Sequence, residues 1–152
     1  MGTRSLTYIE ESYETAIADE ENNNEVHETK QNILCMYRQY DGYPSGHGYE
    51  LAEWLSKFTI VNGIRLGEEK QIANGPGCLA AQMFAHFKDG PGGIYLYSPN
   101  ASDVGEEYIY KIYIEQGAEI YLEVYDTYES NDPTFEGTPE EFMTMIETEE
   151  HA

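Results

Sequence analysis

The chain has 152 residues, 29 acids against eight Lys and Arg, and a formal net charge of −21 at pH 7. That length suits one domain with a buried core. So few cations argue against direct nucleic-acid binding, which needs Lys or Arg on the phosphates. No run approaches the ~20 apolar residues of a membrane span. The start MGTRSLTYIEES has no apolar h-region, so no secretory signal is expected. Leu6 stands where a myristoylation motif needs Ser or Thr. Cys35 and Cys78 lie in apolar runs and read as reduced core residues, which fits a cytoplasmic protein.

The charge is unevenly spread. Residues 1–31 hold eight acids and two bases, residues 32–114 nine acids and six bases, and residues 115–152 twelve acids and no base. The flanks are therefore acidic and the centre nearly balanced. Fourteen Tyr stand against five Phe and one Trp, a bias that suits half-buried sheets and contact surfaces.

In chain order, Gly2–Ile9 reads as an edge strand. Residues from about 18 to 30 carry many acids and an Asn triplet, and read as a polar loop or mobile insertion. Asn32–Tyr40 has the continuous apolar character of a well-buried strand. The run from Tyr49 to Phe58 predicts a helix, with Leu51, Trp54, Leu55 and Phe58 at i, i+3, i+4 and i+7. A loop containing Asn62-Gly63 and Gly67 leads to Asn74-Gly75-Pro76-Gly77. There a second helix starts, with Leu79, Met83 and Phe87 on one stripe. Asp89-Gly90-Pro91-Gly92-Gly93 ends it.

Ile94–Tyr97 is the next strand. EEYIYKIYIE and AEIYLEVYDTY then flank Gln116-Gly117 as an antiparallel hairpin. Its register stays open, because Tyr falls on both faces of each run. Thr138-Pro139-Glu140-Glu141 opens a short C-terminal helix, with Thr138 as N-cap and acids in the first turn. The expected architecture is a single α+β domain over residues 1–152. It has a largely antiparallel sheet, two central helices and a short C-terminal helix.

One segment concentrates polar chemistry. Tyr37 to Gly48 brings one cation, one carboxylate, one imidazole, three phenols and three glycines to a strand-to-helix junction. Gly46 and Gly48 before a helix permit backbone amides to meet an anion. Arg38 supplies a planar fork for phosphate or carboxylate, and Tyr40 and Tyr43 supply stacking faces. Arg38, Tyr40, Asp41, Tyr43, Gly46, His47 and Gly48 are thus candidate ligands for a phosphorylated or nucleotide-like molecule. A turn accounts for much of the same run. Asp41-Gly42 is a turn pair, Pro44 pre-sets a dihedral, Gly46 and Gly48 relieve positive φ, and Arg38 pairs with Asp41. Arg38 has the least evident part in making a turn.

His47 as a general base would need a nucleophile in reach, and Ser45 is too close in sequence. His86 lies one turn after Gln82, so the two are placed to hydrogen-bond. Cys78, at the start of the second helix, reads as a small packed residue. Arg4 would add a cation to an anion site if it lay near the turn. No HExxH, CxxC pair, Walker A or GxSxG sequence occurs, so no metal, cofactor or catalytic residue is assigned.

GTRSLT, YRQYDGYPSGHG, ELAEWL, NGPGCLAAQ and GGIYLY together resemble a family of small bacterial and phage proteins. The resemblance covers roughly residues 1–9 and 33–114. It implies a phage or prophage accessory protein in the bacterial cytoplasm, and supplies no activity, ligand or catalytic residue. The expectation is a non-enzymatic binder. It is an acidic inhibitor that imitates nucleic acid and meets a basic host protein through Glu119, Glu123, Asp126 and Glu129. The alternatives are a nucleotide-like small molecule held at the Arg38 turn, or an enzyme of unknown class.

Overall fold

A computed structural model describes residues 2–18, 24–61, 71–115 and 119–150, with backbone alone for 13–18, 24–28 and 150. Among the described residues eight strands and three α-helices follow in order: β1 Ser5–Ala18, β2 Asn24–Arg38, α1 Tyr49–Ser56, β3 Thr59–Val61, β4 Ile72–Asn74, α2 Gly75–Phe87, β5 Ile94–Tyr97, β6 Tyr108–Glu115, β7 Glu119–Asp126, β8 Phe135–Gly137 and α3 Pro139–Glu150. The fold is α+β. Six strands form one sheet in the order β5-β2-β1-β6-β7-β8, and β3 and β4 make a small parallel pair beside it. In the large sheet β1 runs parallel to β6, and every other neighbouring pair is antiparallel.

The strand expected at the sheet edge is interior. β1 lies between β2 and β6 and is buried on both faces, with Leu6 and Tyr8 on one side and Ser5, Thr7 and Ile9 on the other. Its polar Ser5 and Thr7 are both fully buried.

The loop expected near residues 18–30 is also corrected. From Asn24 to Lys30 the chain is β2, paired with β1 as far as Ala18↔Asn24; residues 19–23 lie outside the described residues. The reason is geometric. β1 leaves β6 after Ile9↔Ile112 and shifts register between Ile9 and Glu10. Beyond that bulge a two-stranded ribbon runs past the sheet body. A ribbon with no third strand beside it need not show the apolar alternation by which buried strands are recognised. The Asn62-Gly63 and Gly67 loop and the Gln116-Gly117 turn likewise fall outside the described residues.

The three helices cover one face of the sheet. Ile9, Leu34, Met36, Tyr110, Ile112, Leu122 and Val124 meet Leu51, Leu55, Leu79, Met83, Phe142 and Ile146 in one cluster. Leu51 and Leu55 are buried, while Trp54 and Phe58 sit half-buried at the rim. On the opposite face Leu6, Tyr8, Cys35 and Tyr37 form a smaller cluster with Tyr97, Ala101 and Ile109. The Tyr37 and Tyr97 rings stack at 4.9 Å, and the Tyr8 hydroxyl donates to the Ala101 carbonyl, tying the 98–107 segment down over that end. Burial raises the Cys35 thiol to about 11, consistent with an inert packed residue. Both cysteines are free thiols.

α3 begins with a reciprocal cap. The Glu141 amide donates to Thr138 Oγ1 at 3.2 Å, and the Thr138 amide donates to Glu141 Oε1 at 3.0 Å. Two amides that the helix cannot bond internally are thereby satisfied. The hydrogen bond from the Thr138 backbone holds the Glu141 carboxyl below its ordinary range. Thr138→Ala should lower stability by about 1 kcal/mol in urea unfolding; no loss would show that α3 is held by Phe142 and Ile146 alone.

Candidate functional site

The Tyr37–Gly48 run folds as a turn that ends in a single π-helical turn, Pro44–Gly48, leading into α1. Its backbone amides and carbonyls and the Arg38 and His47 side chains bond mostly within the fold, while Tyr40, Asp41 and Tyr43 stay exposed. Asp41 takes a left-handed φ of 59°, a conformation Asp tolerates better than most residues. The Asp41 carbonyl accepts the His47 amide at 2.8 Å, and the Tyr43 carbonyl accepts the Gly46 and Gly48 amides at 3.0 and 3.4 Å. The Gly42 amide donates to the Thr3 carbonyl at 2.9 Å, and the buried Tyr110 hydroxyl donates to the Gly42 carbonyl at 2.6 Å. The amides that the sequence offered to an anion are therefore spent on the turn.

The glycines are there for a different reason from the one expected. Neither Gly46 nor Gly48 has a positive φ; both mark close approach. A Cβ on Gly46 would lie 2.7 Å from the Asp41 carbonyl oxygen. One on Gly48 would lie 3.0 Å from the Tyr110 ring and 3.1 Å from Phe142.

His47 is fully buried beneath this turn. Its ring meets Phe87 and Tyr110 edge-on at 5.1 and 5.3 Å. Arg38 Nη1 lies 2.9 Å from Nδ1, and Thr7 Oγ1 lies 3.0 Å from Nε2. A guanidinium only donates, so Nδ1 accepts, the neutral ring carries its proton on Nε2, and that N–H donates to Thr7. Burial, reinforced by the Arg38 charge, lowers the imidazole from 6.5 to about 3. A hydroxyl beside an imidazole resembles a nucleophile and its base. Here the nitrogen facing the hydroxyl already holds the proton, and both groups are sealed from solvent. This pair cannot activate Thr7.

Arg38 has the part in the turn that the sequence did not reveal. Its Nε donates to the Tyr40 carbonyl at 2.7 Å, and Nη1 also reaches Glu50 at 3.2 Å, not Asp41. Beside it opens a groove of about 540 Å³ lined by Arg38, Tyr40, Glu50, Trp54, Lys57 and His86. Of the seven candidate ligand residues, Arg38 and Tyr40 line it. Asp41 and Tyr43 are exposed, and Gly46, His47 and Gly48 lie within or beneath the turn. His86 stacks on Trp54 at 5.4 Å. Gln82 donates instead to the Ile72 carbonyl and to Cys78 Sγ, so the expected Gln82–His86 bond is replaced.

The acidic candidates separate as well. Glu119 and Glu123 lie on the sheet face away from the helices, alternating with Tyr121 and Tyr125 along β7. Across the strands Glu115 faces Glu119, Tyr113 faces Tyr121, and Glu136 faces Glu123. No described segment covers this part of the face. Asp126, at the end of β7, opposes Tyr108 and accepts the Tyr128 amide at 3.0 Å, and Glu129 lies in the exposed turn beyond.

The phenols on the open face are tied to its carboxylates: Tyr113 donates to Glu136 at 3.3 Å, Tyr121 to Glu119 at 3.0 Å and Tyr125 to Glu123 at 3.1 Å. Burial and then Glu123 raise Tyr125 to about 12. Tyr121 is raised chiefly by its bond to Glu119, and Tyr113 by burial and Glu136. The Tyr113 and Tyr121 rings stack at 5.7 Å. Glu115, Glu136 and the three phenols were missed in the sequence because they join the site through register.

No family model, curated protein or solved structure matches the chain.

Two predictions follow from the turn. The unfolded chain takes up a proton on His47 near pH 6.5 and the folded one near 3, so this group's stability is complete above about 6.5 and lost as pH falls toward 3. His47→Gln keeps one donor and one acceptor and removes the titration. Comparing urea unfolding at pH 7 and pH 5, the variant should gain on the order of 2 kcal/mol relative to wild type; parallel pH profiles would show that His47 titrates normally. Gly48→Ala should cost ~1–3 kcal/mol through overpacking against Tyr110 and Phe142, measured in the same way.

Proposed function

We propose that this protein acts by binding, with the uncovered face of β6, β7 and β8 docking on a basic protein surface and occupying it in place of nucleic acid. One observation carries the reading. Glu115 opposes Glu119 and Glu123 opposes Glu136 directly across neighbouring strands of that face. Like charges in such pairs destabilise a sheet, and a local rule broken without a structural gain points to function.

The base nearest to hand does not relieve the charge. Lys111 opposes Glu123 in register, but its Nζ sits over the Tyr125 ring, 5.3 Å from the centroid. Phenols between the carboxylates add flat apolar area and ring faces for partner Arg and Lys side chains. Together with the motif resemblance, this points to a basic host defence or nucleic-acid-processing protein. Long-range attraction from a charge of −21 would speed the encounter and make it sensitive to salt.

The test begins by capturing the partner from a bacterial host extract and identifying it by mass spectrometry. The purified pair is then titrated at several salt concentrations, with and without duplex DNA. Affinity should fall as salt rises, and DNA should compete. A Glu119→Gln/Glu123→Gln/Glu136→Gln variant should bind at least ~10-fold more weakly while its thermal midpoint holds or rises, since each relieved pair returns ~0.2–1 kcal/mol. Undiminished binding by that variant, or DNA that fails to compete, would overturn the reading.

A further inference from the structure

Beside the docking face lies a cavity of about 670 Å³, lined among others by Arg4, Gly105, Lys111, Tyr125, Tyr128 and Asn131. Its size is that of a small-molecule site. Two of the chain's eight basic residues line it, in a protein with 29 acids. With carboxylates so abundant, a base is expected to find one. Yet neither Arg4 nor Lys111 makes an ion pair or a side-chain hydrogen bond with any described residue. Asp103 and Glu106 share the cavity wall, but Glu106 is engaged by the loop itself, accepting the Asp103 and Val104 amides at 3.1 and 2.8 Å.

The walls are braced. The Tyr8 hydroxyl holds the Ala101 carbonyl, and Thr127 Oγ1 donates to the carbonyls of Glu106 and Glu107 at 3.1 and 3.0 Å. Gly105 gives the Arg4 guanidinium its place. A Cβ there would lie 2.8 Å from Arg4 Nη1, and its φ of +89° already excludes most side chains. Across the cavity the Tyr128 ring is 81% exposed, on a turn pinned by the Asp126 carboxylate. Arg4, with no ion pair among the described residues, and Lys111, held over the Tyr125 ring, lie beside the exposed Tyr128 ring; together they offer charge to an anion and a stacking face to a planar group.

We propose that this cavity binds a small anion carried on a planar ring, a phosphate monoester or a carboxylate, with Arg4 and Lys111 on the charge and Tyr128 on the ring. The site shares Lys111 and Tyr125 with the docking face, but Glu119 and Glu136 do not line it, and its ligand has the opposite charge to that face's partner. The strong negative field of the protein favours a ligand of low charge.

Calorimetric titration with adenosine monophosphate, benzoate and inorganic phosphate tests it, with the two ring-bearing probes distinguishing phosphate from carboxylate. At least one of them should bind saturably, and at least ~10-fold more tightly than inorganic phosphate. Arg4→Gln and Lys111→Gln should each weaken that binding ~10-fold or more. Glu119→Gln/Glu136→Gln, on the docking face but outside the cavity lining, should leave it intact. Tyr128→Ala should abolish the preference for a ring. No saturable binding by either ring-bearing probe, or binding unchanged in an Arg4→Gln/Lys111→Gln double variant, would overturn the proposal. Folding of each variant is checked by its urea unfolding midpoint, so a lost ligand is not confused with a lost fold.

Discussion

The imidazole of His47 joins three parts of the chain that are far apart in sequence. Thr7 on β1, Arg38 at the end of β2 and the turn ahead of α1 all converge on it. A neutral ring in a fully buried place must have both nitrogens satisfied, because an unmet buried polar group costs ~1–3 kcal/mol. Arg38 can only donate, so the ring's tautomer and the role of Thr7 follow from it. Once this contact is set, the Tyr110 bond to Gly42 and the close passage of Gly48 past Tyr110 and Phe142 place α1 on the sheet. The densest cluster of chemically capable side chains in the protein is consequently a joint. Its groups bind each other, which leaves little of their capacity for a ligand.

The sheet then presents two unlike ends on the face away from the helices. Over β1 and β2, the 98–107 segment closes on an aromatic cluster around Tyr8 and Tyr37. Over β6 to β8 no described segment covers that face, and β7 presents Glu119, exposed, and Tyr121, Glu123 and Tyr125, half-buried. The cavity with Arg4 and Lys111 lies next to this open region.

Legibility followed the range of the interactions concerned. The periodicity of Leu51, Leu55, Leu79 and Met83 identified α1 and α2, and Thr138 ahead of Pro139 and two acids identified the N-terminus of α3, because those patterns close within one or two turns. Strand existence was equally plain in Ile33–Tyr37 and in the two Tyr-rich runs. The β1–β2 ribbon was not, since its polar residues carry no signature of the pairing that makes them a strand. Arg38 looked free for a ligand because its partners, Tyr40 and Glu50 aside, sit on a buried histidine. Gly46 and Gly48 suggested either an anion cradle or positive φ, and their true constraint is the carbonyl and the rings packed against them.

By itself the sequence determined the α+β class, the three helices and the N-cap of α3, the acidic character of the chain, and the position of the polar turn. These depend on composition and on contacts between near neighbours. The tertiary structure decided what the turn's groups bind, which acids share a face, and which basic residues line the cavity. The physical reason is register. A shift of one residue in β6 against β7 would exchange Tyr113 and Glu115 for Ile112 and Ile114 on the open face, and only burial of the opposite face selects between the two.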